Sequence, residues 1–149
     1  LRTWLVGQTA VRAIDVRKSA RSGRVQVVLA VEGGTLPGGT KRAKELLTKH
    51  RMIAQVAVSR ADPSGIRVLG SAPTVLAGDA QLDEAIGETR LALLPGAFFQ
   101  VDPRQAAALH EAVSEGVGNA KRVLDLYSGV GAYAKMLAPG RDAVIAVEE

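Results

Sequence analysis

The sequence predicts an α/β protein: a mixed α+β domain over residues 1–95, then over residues 96–149 the first βαβ unit of an open parallel sheet, left incomplete. Three observations carry this expectation. Apolar strand-like runs at residues 24–31 and 53–59 flank a helical pattern at residues 40–51. Ala106, Leu109, Val113 and Val117 recur at helical spacing. Beyond them Val123-Leu124-Asp125-Leu126-Tyr127, apolar but for one acid, runs into Ser128-Gly129-Val130-Gly131, and a second apolar run, residues 143–147, follows. Such a run suits a parallel strand, and a glycine turn between strand and helix lets the backbone approach a ligand closely.

The elements follow in order. Residues 10–18 alternate apolar and polar, residues 19–23 supply a turn, and residues 24–31 form a second strand, so the chain opens on a hairpin. Glycines and Pro37 then break regular structure, and Thr40 is the expected cap of a helix with Leu46, Leu47 and His50 on its inner face. Residues 53–59 read as a strand, Asp62-Pro63-Ser64-Gly65 as a turn, and residues 66–69 as a returning strand. Short strands around residues 74–76 and 90–94 complete the first domain. Asp102, with Pro103 at the first helical position, opens a connecting helix that Gly116 and Gly118 end. Phe98 and Phe99 are the only phenylalanines, and at least one is expected in core packing.

Composition sets limits on function. With 47% hydrophobic and 23% charged residues the chain has the make-up of a soluble globular protein, and no apolar stretch approaches the roughly 20 residues of a membrane span. A cytoplasmic protein without membrane contact is expected. There is no cysteine, which excludes disulfides, thiolate metal sites and a cysteine nucleophile within these residues. His50 and His110 are far apart on separate predicted helices, so no metal site is expected. Residues 1–60 carry 12 Lys and Arg against 3 acids, and residues 61–149 carry 7 against 12. A basic half beside an acidic half points to a polyanion partner for the first, through Arg12, Arg17, Lys18, Arg21 and Arg24 on the hairpin and Lys41, Arg42, Lys44, Lys49 and Arg51 on the helix.

The second half points to a nucleotide-type ligand. The run at residues 143–147 ends in Glu148, about twenty residues after Gly129, where a carboxylate can accept hydrogen bonds from both hydroxyls of a ribose. A dinucleotide fingerprint would place a third glycine at position 134, which is Ala134. Upstream, Leu94-Pro95-Gly96-Ala97-Phe98-Phe99-Gln100-Val101-Asp102-Pro103, a helix and then VLDLYSGVG together resemble the RNA (uracil-5-)-methyltransferase family, with its Phe-Phe-Gln-Val-Asn segment and Leu-Tyr-Cys-Gly-x-Gly turn. The resemblance is specific over residues 91–149. It is looser over the first 90, where Val25-Gln26-Val27-Val28-Leu29 and Val75-Leu76-Ala77-Gly78-Asp79 are similar to the family's central domain.

That resemblance implies a fragment covering the central domain and the start of a Rossmann-like S-adenosylmethionine-binding domain, its parent a methyltransferase acting on C5 of uridine in ribosomal or transfer RNA. It matches Gln100 to a glutamine that contacts the cofactor, Tyr127 to the aromatic residue at the turn, and Glu148 to the acid on the ribose, with Gly129 and Gly131 shaping the turn. Ser128 stands where the family usually has cysteine, Ala132 where some members have Asn or Thr, and Asp102 where Asn is usual. The reaction implied begins with a cysteine thiolate adding to uracil C6 so that C5 becomes nucleophilic, and a base later removes the C5 proton. Lacking cysteine, these residues are expected to give no turnover alone and to contribute no catalytic residue.

The N-terminus, Leu1-Arg2-Thr3-Trp4, lacks an initiator Met, and a complete sheet needs more strands, so a piece of a longer protein is expected. The family implies an RNA-binding barrel, in some members with a cysteine-bound iron–sulfur cluster, ahead of these residues. The unfinished sheet is expected to favour self-association. Two other readings stay open: a basic RNA-binding module without catalysis, and a dinucleotide-binding fragment of an oxidoreductase.

Overall fold

The computed structural model describes residues 9–100 and 102–148; the N-terminal Leu1-Arg2-Thr3-Trp4, Val101 of the Phe-Phe-Gln segment and the final glutamate lie outside the described residues. The architecture is α/β, in two compact units. The first holds the described residues through Leu82 together with Leu94–Gly96, and the second holds Asp83–Leu93 and the described residues from Ala97 onward.

The first unit is built on a four-stranded sheet in the order β1-β2-β3-β4. β1 (Val11–Lys18) pairs antiparallel with β2 (Val25–Val31), as the alternating pattern predicts. β2 runs parallel to β3 (Ile53–Arg60), and the crossover between them is α1 (Gly39–Lys49). Continuous burial of Val27 through Val31 and of Ile53 through Val58 explains why these runs carry hardly a polar residue. One face packs α1 through Ala43 and Leu46 against Val27, Leu29, Val31, Val56 and Val58. The exceptions to apolarity are linked: buried Gln26 donates from Nε2 to Gln55 Oε1 at 2.8 Å, and Gln55 Nε2 donates to the Asp79 carbonyl. β4 (Thr74–Gly78) closes the sheet antiparallel to β3.

Three local expectations change. α1 starts one residue earlier than Thr40, with Gly38 (φ 67°) as its cap; Gly39 sits so tightly against Leu36 and Leu76 that a Cβ there would come within 3.2 Å of both. His50 follows the helix as its exposed C-cap and does not join Leu46 inside. Residues 66–69 form no strand, only a single bridge between Ala61 and Leu69, because the segment winds around Asp62. Its carboxylate accepts from the Arg67 amide (2.9 Å), the Ser64 amide (3.0 Å) and the Ser64 hydroxyl (2.8 Å). Those bonds, the Arg67 amide foremost, hold the Asp62 carboxyl below its usual range.

The second unit, with Leu82 just outside it, holds the pair β5 (Leu82–Ile86) and β6 (Thr89–Leu93), joined through Gly87 (φ 55°) and Glu88; β6 is the strand expected around residues 90–94, whereas β5 is one the periodicity does not predict. α2 (Pro103–Val117) begins as expected, the Asp102 carboxylate accepting from the Arg104 amide at 2.9 Å and the Gln105 amide at 3.4 Å. Its inner face differs from expectation: Ala106 and His110 are buried, while Leu109 is 44% exposed. β7 (Arg122–Leu126), α3 (Ala132–Leu137) and β8 (Ala143–Val147) form a parallel βαβ unit. Arg141, after α3, donates to the carbonyls of Ala120 (2.6 Å) and Gly118 (3.1 Å), fixing the entry to β7. Leu124 with Ile145 and Leu126 with Val147 share one face in register, and all four are exposed.

Candidate functional site

Parallel pairing of β7 with β8 sets both C-terminal ends side by side, and the Ser128 amide extends the ladder by donating to the Val147 carbonyl at 3.0 Å. The chain then turns sharply. Tyr127 is the one non-glycine with positive φ among the described residues (57°), and Gly129 and Gly131 follow at 56° and 72°. A bulky residue in that region costs of order 1–2 kcal/mol and persists only where its surroundings hold it. Two contacts do the holding here. Gly131 donates to the Ser128 carbonyl at 2.9 Å, and Asp125, the lone acid of β7, accepts from the Ala134 amide of α3 at 3.0 Å. Gly131 thereby becomes the N-cap of α3.

Glu148, just past β8, reaches across so that its Oε2 accepts from the Gly129 amide at 2.7 Å. The acid at the end of one strand and the glycine turn at the end of the other are thus a single hydrogen-bonded unit. A charged acceptor makes this one of the stronger classes of hydrogen bond. Beyond the turn lies open space: a Cβ built on Gly129 or Gly131 would meet nothing within 4 Å.

Beside the turn is a cavity of about 140 Å³ lined by Phe98, Phe99, Gln100, Tyr127, Ser128 and Gly129 at one side and by Ala106, His110 and Tyr133 at the other. Of the five residues singled out from sequence, Gln100, Tyr127 and Gly129 share this cavity, Glu148 is bonded to Gly129, and Gly131 stands outside the lining as the cap of α3. Neither phenylalanine is buried: Phe98 is 78% exposed and Phe99 half-buried, so both form walls and not core. Tyr127 is 84% exposed at the same rim.

Two wall residues escape the motif reading. The rings of His110 and Tyr133 lie 4.8 Å apart at 46°. Burial depresses the basicity of His110, and burial followed by the charge of Asp125 raises the Tyr133 hydroxyl, so both rings are neutral near pH 7. The four-residue step from Ala106 to His110 is the signal that places His110 on the inner face of α2. A larger open groove of about 720 Å³ runs along the outer side of α1, but its lining of Thr40, Lys41, Lys44, Glu45, Thr48 and Lys49 comes from one helix. The convergent groups are at the smaller cavity. Among the described residues, no group of three or more His, Asp or Glu side chains could hold a metal ion.

No protein-family model matches the chain. Among curated proteins, one named uncharacterized RNA methyltransferase from Thermosynechococcus vestitus is 31% identical over 140 residues, 92% of this chain and 31% of the relative. Another of that name from Halalkalibacterium halodurans is 29% identical over 143 residues, 92% of this chain and 30% of the relative. The chain therefore spans about 30% of the length of the relatives it matches. Among solved structures, the Pyrococcus abyssi tRNA (uracil-54, C5)-methyltransferase, in complex with S-adenosyl-L-homocysteine, superposes with a TM-score of 0.71 at 24% identity, over 93% of this chain and 33% of that one. That likeness is one of fold.

Proposed function

We infer that the chain belongs to the RNA methyltransferase family, and we propose that its second unit holds part of the S-adenosylmethionine site of an enzyme that methylates C5 of uridine in ribosomal or transfer RNA. The observation that carries this is the bond from the Gly129 amide to Glu148, which sets a carboxylate suited to ribose hydroxyls at the glycine turn, beside the cavity that Gln100 lines. Glu148 would accept from the two ribose hydroxyls, while Gln100 offers an amide to the polar end of the ligand. The exposed rings of Tyr127 and Phe98 offer flat apolar faces at the rim. Open space beyond Gly129 and Gly131 lets a ligand lie against the backbone there.

When bound, S-adenosylmethionine supplies the methyl group. The residues present hold and orient it; the thiolate that activates uracil would come from outside these 149 residues, which contain no cysteine. The cavity of about 140 Å³ is well below the roughly 300 Å³ at which small-molecule pockets begin, so it encloses only part of such a ligand. The uridine C5 assignment is supported by the Phe-Phe-Gln and Tyr-Ser-Gly segments and by the fold of the Pyrococcus enzyme. We also place the protein in the cytoplasm and expect it to pair with itself through the exposed face of Leu124, Leu126, Ile145 and Val147.

Calorimetry with S-adenosylhomocysteine and with NAD tests the cofactor assignment. The isolated chain is expected to bind the former with a dissociation constant of roughly 10–1,000 µM and to show no heat with NAD. Equal or preferential binding of NAD would overturn the assignment in favour of a dinucleotide site. Heat with neither ligand, with RNA still bound, would favour a plain RNA-binding module.

A further inference from the structure

We propose that an RNA strand docks by its phosphates on the first unit, at the sheet end where the β1–β2 turn meets the C-terminus of α1, and continues along the outer side of α1. This rests on the RNA reading above and adds where the polyanion is held. The basic residues of the first 60 positions do not form one undifferentiated surface. Arg12 is paired with Glu32 at the far end of the sheet. Lys18 lies opposite Val25 in register, the Ser19 amide closes the turn on the Arg24 carbonyl at 2.9 Å, and Val25 is both the parallel neighbour of Ile53 and donor to the Met52 carbonyl at 2.8 Å. Two segments about thirty residues apart are thereby brought together. They present Lys18, Arg21, Arg24, Lys49 and Arg51, all exposed.

Arg24 is answered by Asp79 at 2.5 Å. Among the described residues Lys18, Lys49 and Arg51 have no such ion pair. Lys49 also belongs to the groove along α1, whose Lys41, Lys44, Thr40 and Thr48 carry the cationic track to the other end of the helix. A plainer explanation is that cations collect at a helix C-terminus to complement its dipole, and that accounts for Lys49 and Arg51. It does not account for Lys18 across the turn, nor for Lys41 and Arg42 in the first turn of α1, which holds no acid and where a cation is disfavoured. Glu45 is the one acid in this lining, and the three lysines and two hydroxyls around it, without interleaved aromatics, match a sugar–phosphate backbone, which they would position without reading its sequence.

The test is binding of a labelled RNA hairpin by the full chain across a salt series, followed by fluorescence anisotropy. Lys18→Glu/Lys49→Glu/Arg51→Glu is compared with Lys121→Glu/Arg122→Glu/Lys135→Glu, which makes the same charge change on the second unit. We expect the first variant to bind at least about tenfold more weakly at low salt, with the log–log salt slope flattened by about 0.7 for each phosphate no longer neutralised, and the second to stay within about twofold of wild type. Circular dichroism checks the fold, and if the glutamates disturb it the Lys18→Gln/Lys49→Gln/Arg51→Gln variant must still reduce affinity and slope. Equal losses in the two sets would overturn the location. So would a first variant that keeps RNA affinity and loses only binding to phosphatidylserine vesicles. A wild-type chain that binds no RNA at any salt would instead sink the RNA reading itself.

Discussion

Replacing Gly78 with alanine is expected to destabilise the first unit by about 4 kcal/mol or more, an effect reserved for a few mechanisms of which backbone collision is one. Gly78 has φ 98°, and a Cβ there would lie 2.1 Å from the Ala54 carbonyl oxygen, 2.8 Å from Leu47 Cδ2 and 2.9 Å from Gln55 Cα. Two of those neighbours are backbone of a buried strand and cannot swing away. Relief would require β4 to leave β3, breaking the bond from the Asp79 amide to the Ala54 carbonyl (2.9 Å) and the one from Gln55 Nε2 to the Asp79 carbonyl. Gly87→Ala is the control: its φ is 55°, nothing lies within 4 Å, and the expected cost is about 1–2 kcal/mol. Denaturant midpoints of the two variants at constant slope decide the matter. Equal midpoints would mean that close packing at Gly78 is not what fixes the edge of the sheet.

At the candidate site the largest expected effect belongs to Glu148. Glu148→Ala removes the acceptor of the Gly129 amide and the proposed acceptor of the ribose hydroxyls together. Hydrogen bonds to a charged group are worth about 1.5–3 kcal/mol each, so S-adenosylhomocysteine affinity should fall by about 10- to 100-fold. Glu148→Gln keeps an oxygen for the Gly129 amide but loses the charge, and should fall between wild type and the alanine variant. The bond is exposed, so global stability should change little. Unchanged affinity in Glu148→Ala, measured by calorimetry, would remove Glu148 from the ligand's surroundings.

Legibility of this chain follows the kind of physics each element uses. The βαβ unit of the second half is readable because strong local signals agree there: two apolar runs, a glycine turn between them and an acid at the end of the second. The start of α2 is readable for the same reason, since Asp102 and Pro103 are good at their positions by themselves. β5 is hidden by Glu84, a buried polar side chain at the inward position between Leu82 and Ile86 that interrupts the apolar alternation, its Oε1 accepting from the Ala85 amide. Apolarity alone also misdirects α2, where it favours Leu109 for the face that His110 occupies. The Asp62 turn is legible, but its carboxylate also gathers the Arg67 amide and so turns residues 66–69 away from a strand, and the early start of α1 depends on the close fit of Gly39 against Leu36 and Leu76, a contact made only in three dimensions. At the site, motif spacing leads to Gln100, Tyr127, Gly129, Gly131 and Glu148. Tyr133 and His110 carry no motif, and their pairing comes from α2 and α3 packing together.

The glycine turn and the acid beyond the neighbouring strand are expected to act as one ligand-binding unit. Backbone amide NMR during titration with S-adenosylhomocysteine tests it most directly. Saturable shifts should concentrate at Tyr127, Ser128, Gly129, Gly131 and Glu148, with smaller ones at Gln100, and the Gly129 amide should move most because its acceptor is shared with the ligand. Shifts confined to the first unit, or a Gly129 amide that does not respond while the ligand demonstrably binds, would contradict it.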